Sequence, residues 1–375
     1  MAPTDTAAPA AQTPPEVEES NLRQALRATE LLALEAAAAR ALTAPLRRQL
    51  VVIQREAARA WIRAFGGTDR PGDPIGVAAI AADIHGQLAR LQVPDSTVLG
   101  DYVQRALNLG VTQAAYMVPT VLPAAVQPAQ VTAAAIGATP DAVTSRIVAA
   151  LPAALADTIG QAENAVAAID GSSYAQLEAA VTRAHRAVPQ AAGSVVTAVN
   201  GAANAGRLSL AQWLGADILI LAEADCCTTC AGLAGHVAVG GQPFDSRLAA
   251  TYTDKPHLWP SGPLTQPPWH IHCRCEAVPW FGDASGGSAG LPEALQREAR
   301  RAILKGWSLP SESQPERIRA ARKALAQNRA TPKSVTAYAR RAVAAGQFPT
   351  RDVPHYTPRP PATRRRTPPR KGKTQ

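Results

Sequence analysis

Residues 217–230 read DILILAEADCCTTC, and residues 270–275 read HIHCRC. Ile218, Leu219, Ile220 and Leu221 make a short apolar run that suits a buried strand, and it leads straight into the cysteines. All five cysteines, Cys226, Cys227, Cys230, Cys273 and Cys275, lie within 50 residues, and the other 325 residues have none. Cys227-x-x-Cys230 lets two thiolates from one tight turn grip one metal ion. His270-x-x-Cys273, overlapping Cys273-x-Cys275, supplies the other half of a tetrahedron of sulfur and nitrogen. The expected ligands are Cys227, Cys230, His270 and Cys273, with Cys275 and His272 as alternates and Cys226 as a spare thiol. Such a mixed donor set favours zinc over magnesium or calcium. Four protein ligands leave no open position for water, so the expected zinc is structural and not hydrolytic. The bland alternative is a cluster of reduced thiols and histidines held by ordinary packing.

Outward from this module the chain reads as helix. A length of 375 residues suits about two domains and a real core without staples. Alanine is abundant and aromatics are few, with 6 Trp, 6 Tyr and 4 Phe, while 32 prolines punctuate the helices. The fold class expected is mainly α-helical: a helical domain over 21–215, a small α+β metal-stabilised module over 216–281, a flexible linker over 282–291, and C-terminal helices over 292–346. Residues 1–20 and the basic tail 347–375 are expected to be disordered. Within the helical domain, Ser20 caps a helix over Asn21–Arg40, Pro45 breaks it, and Leu46–Phe65 forms a second. Helices follow over Ile75–Gln92 and Ser96–Met117. Three shorter ones are expected between Thr139 and Pro189, then a stretch over Ala191–Gly215 interrupted near Gly201 and Gly206. Beyond the module the helices are Pro292–Lys305, Pro315–Asn328 and Pro332–Ala345, with Gly306 and Gly346 as stops. Trp259, Trp269 and Trp280 are expected to cover the metal site.

The order Cys227-x-x-Cys230, Leu233-Ala234-Gly235, Pro267-Pro268, His270-x-x-Cys273-Arg274-Cys275 and Pro279 resembles the closing motif of the phage head-morphogenesis family related to the Mu F protein. Members commonly carry Leu-Asp-Gly after the first cysteine pair and Pro-x-His-Pro-x-Cys-Arg-Cys at the end. Here Ala234 stands for the Asp and Ile271 for the second Pro. The resemblance covers about 55 residues. It implies a minor head protein, present in the virion head and in the host cytoplasm during assembly, bound near the portal with capsid or scaffold proteins as partners. Packaged DNA is a further partner, met through the tail: residues 351–375 hold eight Arg and Lys against one Asp. No membrane role is expected, because Pro, Asp or Arg breaks the apolar stretches.

The alternative is a capsid maturation protease. Gly286-Gly287-Ser288-Ala289-Gly290 matches the nucleophile-elbow pattern, but it sits in GDASGGSAG without a strong strand before it and reads as linker. His85 and His185, on helices, are the histidines open to serve such a serine, and His236 and His257 are candidate extra ligands. No His-Glu-x-x-His or Walker-type loop occurs in the chain. The expected role is assembly, not catalysis.

Overall fold

The structure, a computed structural model, describes residues 15–118, 122–123, 126–170, 173–222, 225–258, 264–271, 273–282, 290–307, 312–327 and 329–349, with side chains from residue 29 onward. It is mainly helical, with one small three-stranded sheet. Helix α1 (Pro15–Phe65) opens the chain, followed by α2 (Pro74–Leu88), α3 (Ser96–Met117), α4 (Ala142–Ala167), α5 (Tyr174–Ala184) and α6 (Ala187–Leu214). Leu31, Leu34, Ala38, Leu42, Leu46, Leu50, Ile53, Ala57 and Trp61 form one buried stripe along α1. Their spacing of three and four residues turns that whole face toward α3, α5 and α6.

The expected break at Pro45 does not occur, and α1 runs through it. A proline inside a helix forfeits one hydrogen bond and costs about 3 kcal/mol. Pro45 and Ala41, whose carbonyl it leaves unpaired, both face solvent. Leu42, Leu46 and Leu50, each at most 1% exposed, hold the helix on either side; burying each is worth about 1.5–3 kcal/mol. Residues 15–20, expected outside any element, belong to α1, so Ser20 lies within the helix and not at its start. Between Thr139 and Pro189 there are two helices rather than three before α6 begins, because α4 continues through Pro152 and Asp157. Pro189 sits in the first turn of α6, where its missing N–H is one that no helix pairs.

Gly201 and Gly206 do not interrupt α6. A Cβ on Gly206 would collide with the Leu107 carbonyl of α3, and one on Gly110 of α3 with the Ala203 carbonyl of α6. These glycines are the points where two backbones touch. Gly201 leaves room for Pro268, whose Cδ would lie 2.9 Å from a Cβ there. Helix α6 is the central element: it packs against α1, α3 and α4, and its far end reaches the sheet.

Gly215 ends α6 in the left-handed conformation (φ 66°), and the chain turns into β1 (Asp217–Leu221). This is the expected strand, and it is central in an antiparallel sheet of order β2-β1-β3, with β2 at Val237–Ala238 and β3 at Glu276–Trp280. A short helix α7 (Thr228–Leu233) joins β1 to β2. Helices α8 (Leu291–Lys305), α9 (Gln314–Ala326) and α10 (Lys333–Ala345) follow within a residue or two of their expected bounds. Gly306 (φ 69°) and Gly346 (φ 73°) stop α8 and α10 as expected. Among the described residues, α4 is the one helix long and apolar enough to cross a bilayer; here it packs against α2, α5 and α6. Of the linker expected over 282–291, residues 283–289 lie outside the described residues and Leu291 already belongs to α8. Of the tail expected from residue 347, Phe348 is buried against Ile318 and Ala342, and the chain from residue 350 lies outside the described residues, as do Trp259 and His272.

Candidate metal centre

The two faces of the sheet have different neighbours. Ile218, Ile220 and Ala277 share a core with all five cysteines, Phe244 and Trp269, whereas Leu219, Val278 and Trp280 point the other way, toward Met117, Leu291 and Leu295. Strand alternation therefore removes Trp280 from the cluster it was expected to cover. Trp269, 3% exposed and edge-on to Phe244, is the tryptophan that shares the cluster's core.

Cys227 caps the N-terminus of α7, and its Sγ accepts from the Cys230 backbone N–H at 3.4 Å. One helical turn thus brings Cys230 beside Cys227. From the distal segment, His270 Nε2 lies 3.1 Å from the Sγ atoms of both Cys227 and Cys230, and Cys273 Sγ lies 3.8 Å from Cys230 Sγ. Two sulfurs on a tetrahedral zinc at about 2.3 Å stand about 3.8 Å apart, and a sulfur and a nitrogen about 3.5 Å. The sulfur pair already has that spacing, and the imidazole is slightly closer.

Cys227, Cys230 and His270 make one group of donor atoms with mutual distances within 4.8 Å, and Cys230, Cys273 and Cys275 make another. Cys230 belongs to both and is the hub of the cluster. The structure thus gathers the four expected ligands and the alternate Cys275 around Cys230, with Cys227 and His270 in one group and Cys273 and Cys275 in the other. The alternate His272 lies outside the described residues. Cys226 is buried with the others but belongs to neither group. His236 and His257 also belong to neither; His257 is exposed and fixed through its backbone N–H to Thr229 Oγ1.

The histidine is preset as a ligand. Its Nδ1 lies 2.8 Å from the Ile271 carbonyl oxygen, which only accepts, so Nδ1 keeps a proton and it is the Nε2 proton, facing the sulfurs, that a metal ion would displace. Charge follows the same geometry. Cys227 is held well below the ordinary thiol range, chiefly by the hydrogen bond from Cys230 and, against burial, by His270. Burial opposes ionisation of Cys273, but hydrogen bonds from Cys230 and Cys275 and the charge of His270 bring it down as well. Cys230, whose S–H donates hydrogen bonds to Cys227 and Cys273 and so keeps its proton, is pushed up. Burial works against protonation of His270, yet the Cys227 and Cys273 thiolates raise it to about 9. Without a cation, the cluster already concentrates negative charge, which a divalent ion would neutralise.

Two supporting residues escape a motif-based reading. Glu312, just before α9 and 3% exposed, accepts from the Thr228 N–H at 2.6 Å and so fixes the turn between Cys227 and Cys230. Asn204 of α6 is fully buried: its Nδ2 donates to the Cys275 carbonyl at 3.0 Å, and its Oδ1 accepts from the Ala277 N–H at 2.8 Å. Nothing in the local sequence marks Glu312. Asn204 does leave a trace, as a poor helix former in the middle of an alanine-rich helix.

The residues of the protease reading are placed only in part. Ser288 lies outside the described residues, His85 is in the last turn of α2, and His185 caps the end of α5, where burial lowers its pKa. Comparison with models of protein families, with curated proteins and with solved structures finds no match. What stands is a mainly helical chain with a small sheet and a buried Cys/His cluster whose geometry is able to hold a metal ion.

Proposed function

We propose that this chain is a minor head protein of a bacteriophage, acting in procapsid assembly beside the portal and resident in the virion head, with one structural zinc ion closing its Cys/His module. The observation that carries the reading is the pairing of motif order with geometry: Cys227-x-x-Cys230 and His270-x-x-Cys273-Arg274-Cys275, the order typical of Mu F-like head proteins, meet in one buried cluster. Cys227, Cys230, His270 and Cys273 would hold the zinc. A structural ion supplies cross-linking rather than reaction chemistry, pinning the excursion between the half-sites to the helical body. Zinc is favoured because thiolate and imidazole suit it, and because the Cys230–Cys273 sulfur spacing of 3.8 Å equals that of a tetrahedral site. Portal, capsid or scaffold proteins are its partners, and the basic tail fits contact with packaged DNA.

The test is incorporation. Wild-type chain and the Cys227→Ser and Cys273→Ser variants are co-expressed with portal, scaffold and major capsid proteins, and purified procapsids are assayed for the chain and for zinc. Wild type is expected at low copy with one zinc per chain, and both variants are expected to lose zinc and incorporation together. Procapsids that exclude the wild-type chain, or that take up metal-free variants normally, would overturn the reading.

A further inference from the structure

The charge of the chain is divided by position. Residues 1–290 hold eighteen Arg and Lys against twenty-four Asp and Glu, a net −6, while residues 291–349 hold twelve against four, a net +8. The folded C-terminal helices, and not the tail alone, therefore carry the positive side of the molecule.

Part of that charge is arranged on one face. Arg297, Arg301 and Lys305 follow one another at four-residue steps along α8, so they share a stripe about 12 Å long, the axial rise of three to four phosphates on one DNA strand. Arg297 and Arg301 are exposed, and Lys305 is half-buried. Lys305 Nζ sits 4.3 Å from the ring centroid of Tyr338 on α10, and Tyr338 and Arg341 line the same surface groove of about 270 Å³. The stripe thus continues across Tyr338 to the exposed Arg341. Among the described residues, one acid pairs with it: Glu298, 3.4 Å from Arg301, with both side chains about half exposed. An exposed pair of that kind neutralises little.

We infer that this α8–α10 face binds the phosphate backbone of double-stranded DNA, without reading its sequence. Nine of the twelve cations in 291–349 are arginines, whose planar forks match phosphate oxygens. A regular line of cations fits a polymer with an anion at every step better than the scattered carboxylates of an acidic protein. Single strands are disfavoured by the aromatics: Trp307 is buried under Arg301 and Tyr338 is capped by Lys305, so among the described residues of this face neither ring is free for a base to stack on. This surface is separate from the metal cluster, and the inference does not rest on the head-protein reading.

The experiment measures affinity of the full zinc-loaded chain for a mixed-sequence DNA duplex across a salt series. The variant Arg297→Gln/Arg301→Gln/Arg341→Gln is expected to flatten the log–log salt slope by about 2.7, at roughly 0.9 per lost phosphate contact. Lysine at the same three positions is expected to restore it. Removing equal charge from α1, in Arg47→Gln/Arg48→Gln/Arg55→Gln, is expected to leave the slope unchanged. Thermal midpoints and zinc content confirm that each variant is folded. The inference is overturned if the wild-type chain does not bind duplex, if the α8–α10 variant keeps the wild-type slope, if the α1 variant loses as much, or if polyglutamate competes as well as DNA at equal charge. Procapsid incorporation, measured separately, tells failure here from failure of the assembly role.

Discussion

Asn204 in the middle of α6 bonds both the carbonyl of Cys275 and the amide of Ala277, taking the place a neighbouring strand would take beside β3. The same residue bonds the Asn200 side chain and accepts from Arg207, which also reaches Gln113 of α3 and lies 3.5 Å from Glu276. The segment that supplies Cys273 and Cys275 is thereby fastened to the helical body.

Replacing Asn204 by Leu would leave a buried carbonyl and a buried N–H without partners, at about 1–3 kcal/mol each. The Asn204→Leu variant is expected to lower the unfolding free energy by about 3 kcal/mol in urea titration and to weaken metal retention against a chelator. A variant with wild-type stability and retention would show that the bonds do not fasten β3.

Metal content should sort the thiols. Cys226→Ser is expected to keep one ion per chain, because Cys226 lies outside both donor groups. Cys230→Ser is expected to lose it altogether, because that sulfur belongs to both. Elemental analysis of freshly reduced protein reads both outcomes, and full occupancy in the Cys230 variant would contradict the hub geometry.

Acid should release the ion. Binding requires thiolates and a neutral imidazole, so it expels protons, and affinity rises with pH. With His270 at about 9 in the free cluster, at least one proton leaves when metal enters near neutrality. Titration calorimetry in two buffers of different ionisation enthalpy measures that release, and a buffer-independent heat would refute it.

Glu312 makes an opposite prediction for the fold itself. Burial raises its carboxyl above the usual value, against the pull of the Thr228 N–H. The favourable contribution is therefore complete below the unfolded value near 4.5 and is lost as pH rises through the higher folded value. Glu312→Gln keeps an acceptor for Thr228 and removes the buried charge. It is expected to raise the melting temperature by a few degrees at pH 7, with the gain shrinking toward pH 4. A gain that grows on acidification would reverse the sign.

Gly110→Ala tests the α3–α6 contact. The added methyl would press on the Ala203 carbonyl, and such overpacking costs about 1–3 kcal/mol. At an ordinary helix position the same change would stabilise by about 1 kcal/mol, so the sign of the shift in urea midpoint decides.

The strand β1, the α8–α10 bounds and the convergence of Cys227, Cys230, His270 and Cys273 were legible because each rests on local spacing or on a chemically rare residue. The continuity of α1 through Pro45 was not, since it depends on which side of the helix meets solvent. Gly201 and Gly206 looked like breakers for the same reason: a glycine that admits a close neighbour, side chain or backbone, and one that ends a helix are written identically. Trp280 was misplaced because strand parity, not proximity in sequence, chooses its face. Glu312 entered the site from beyond the motif, through tertiary contact alone.

The two halves of the Cys/His cluster are separated by forty residues, from Cys230 to His270. During synthesis, Cys227 and Cys230 leave the ribosome while β3, His270 and Cys273 are still unmade, and β1 waits unpaired on that edge. Asn204, already in place on α6 with Asn200 and Arg207, has no strand to hold until Cys275 and Ala277 arrive. The cluster therefore cannot assemble until residue 275 has been made, and Glu312 and the helices α8–α10 that share its core come later still, so a chain truncated before residue 273 carries only half of it.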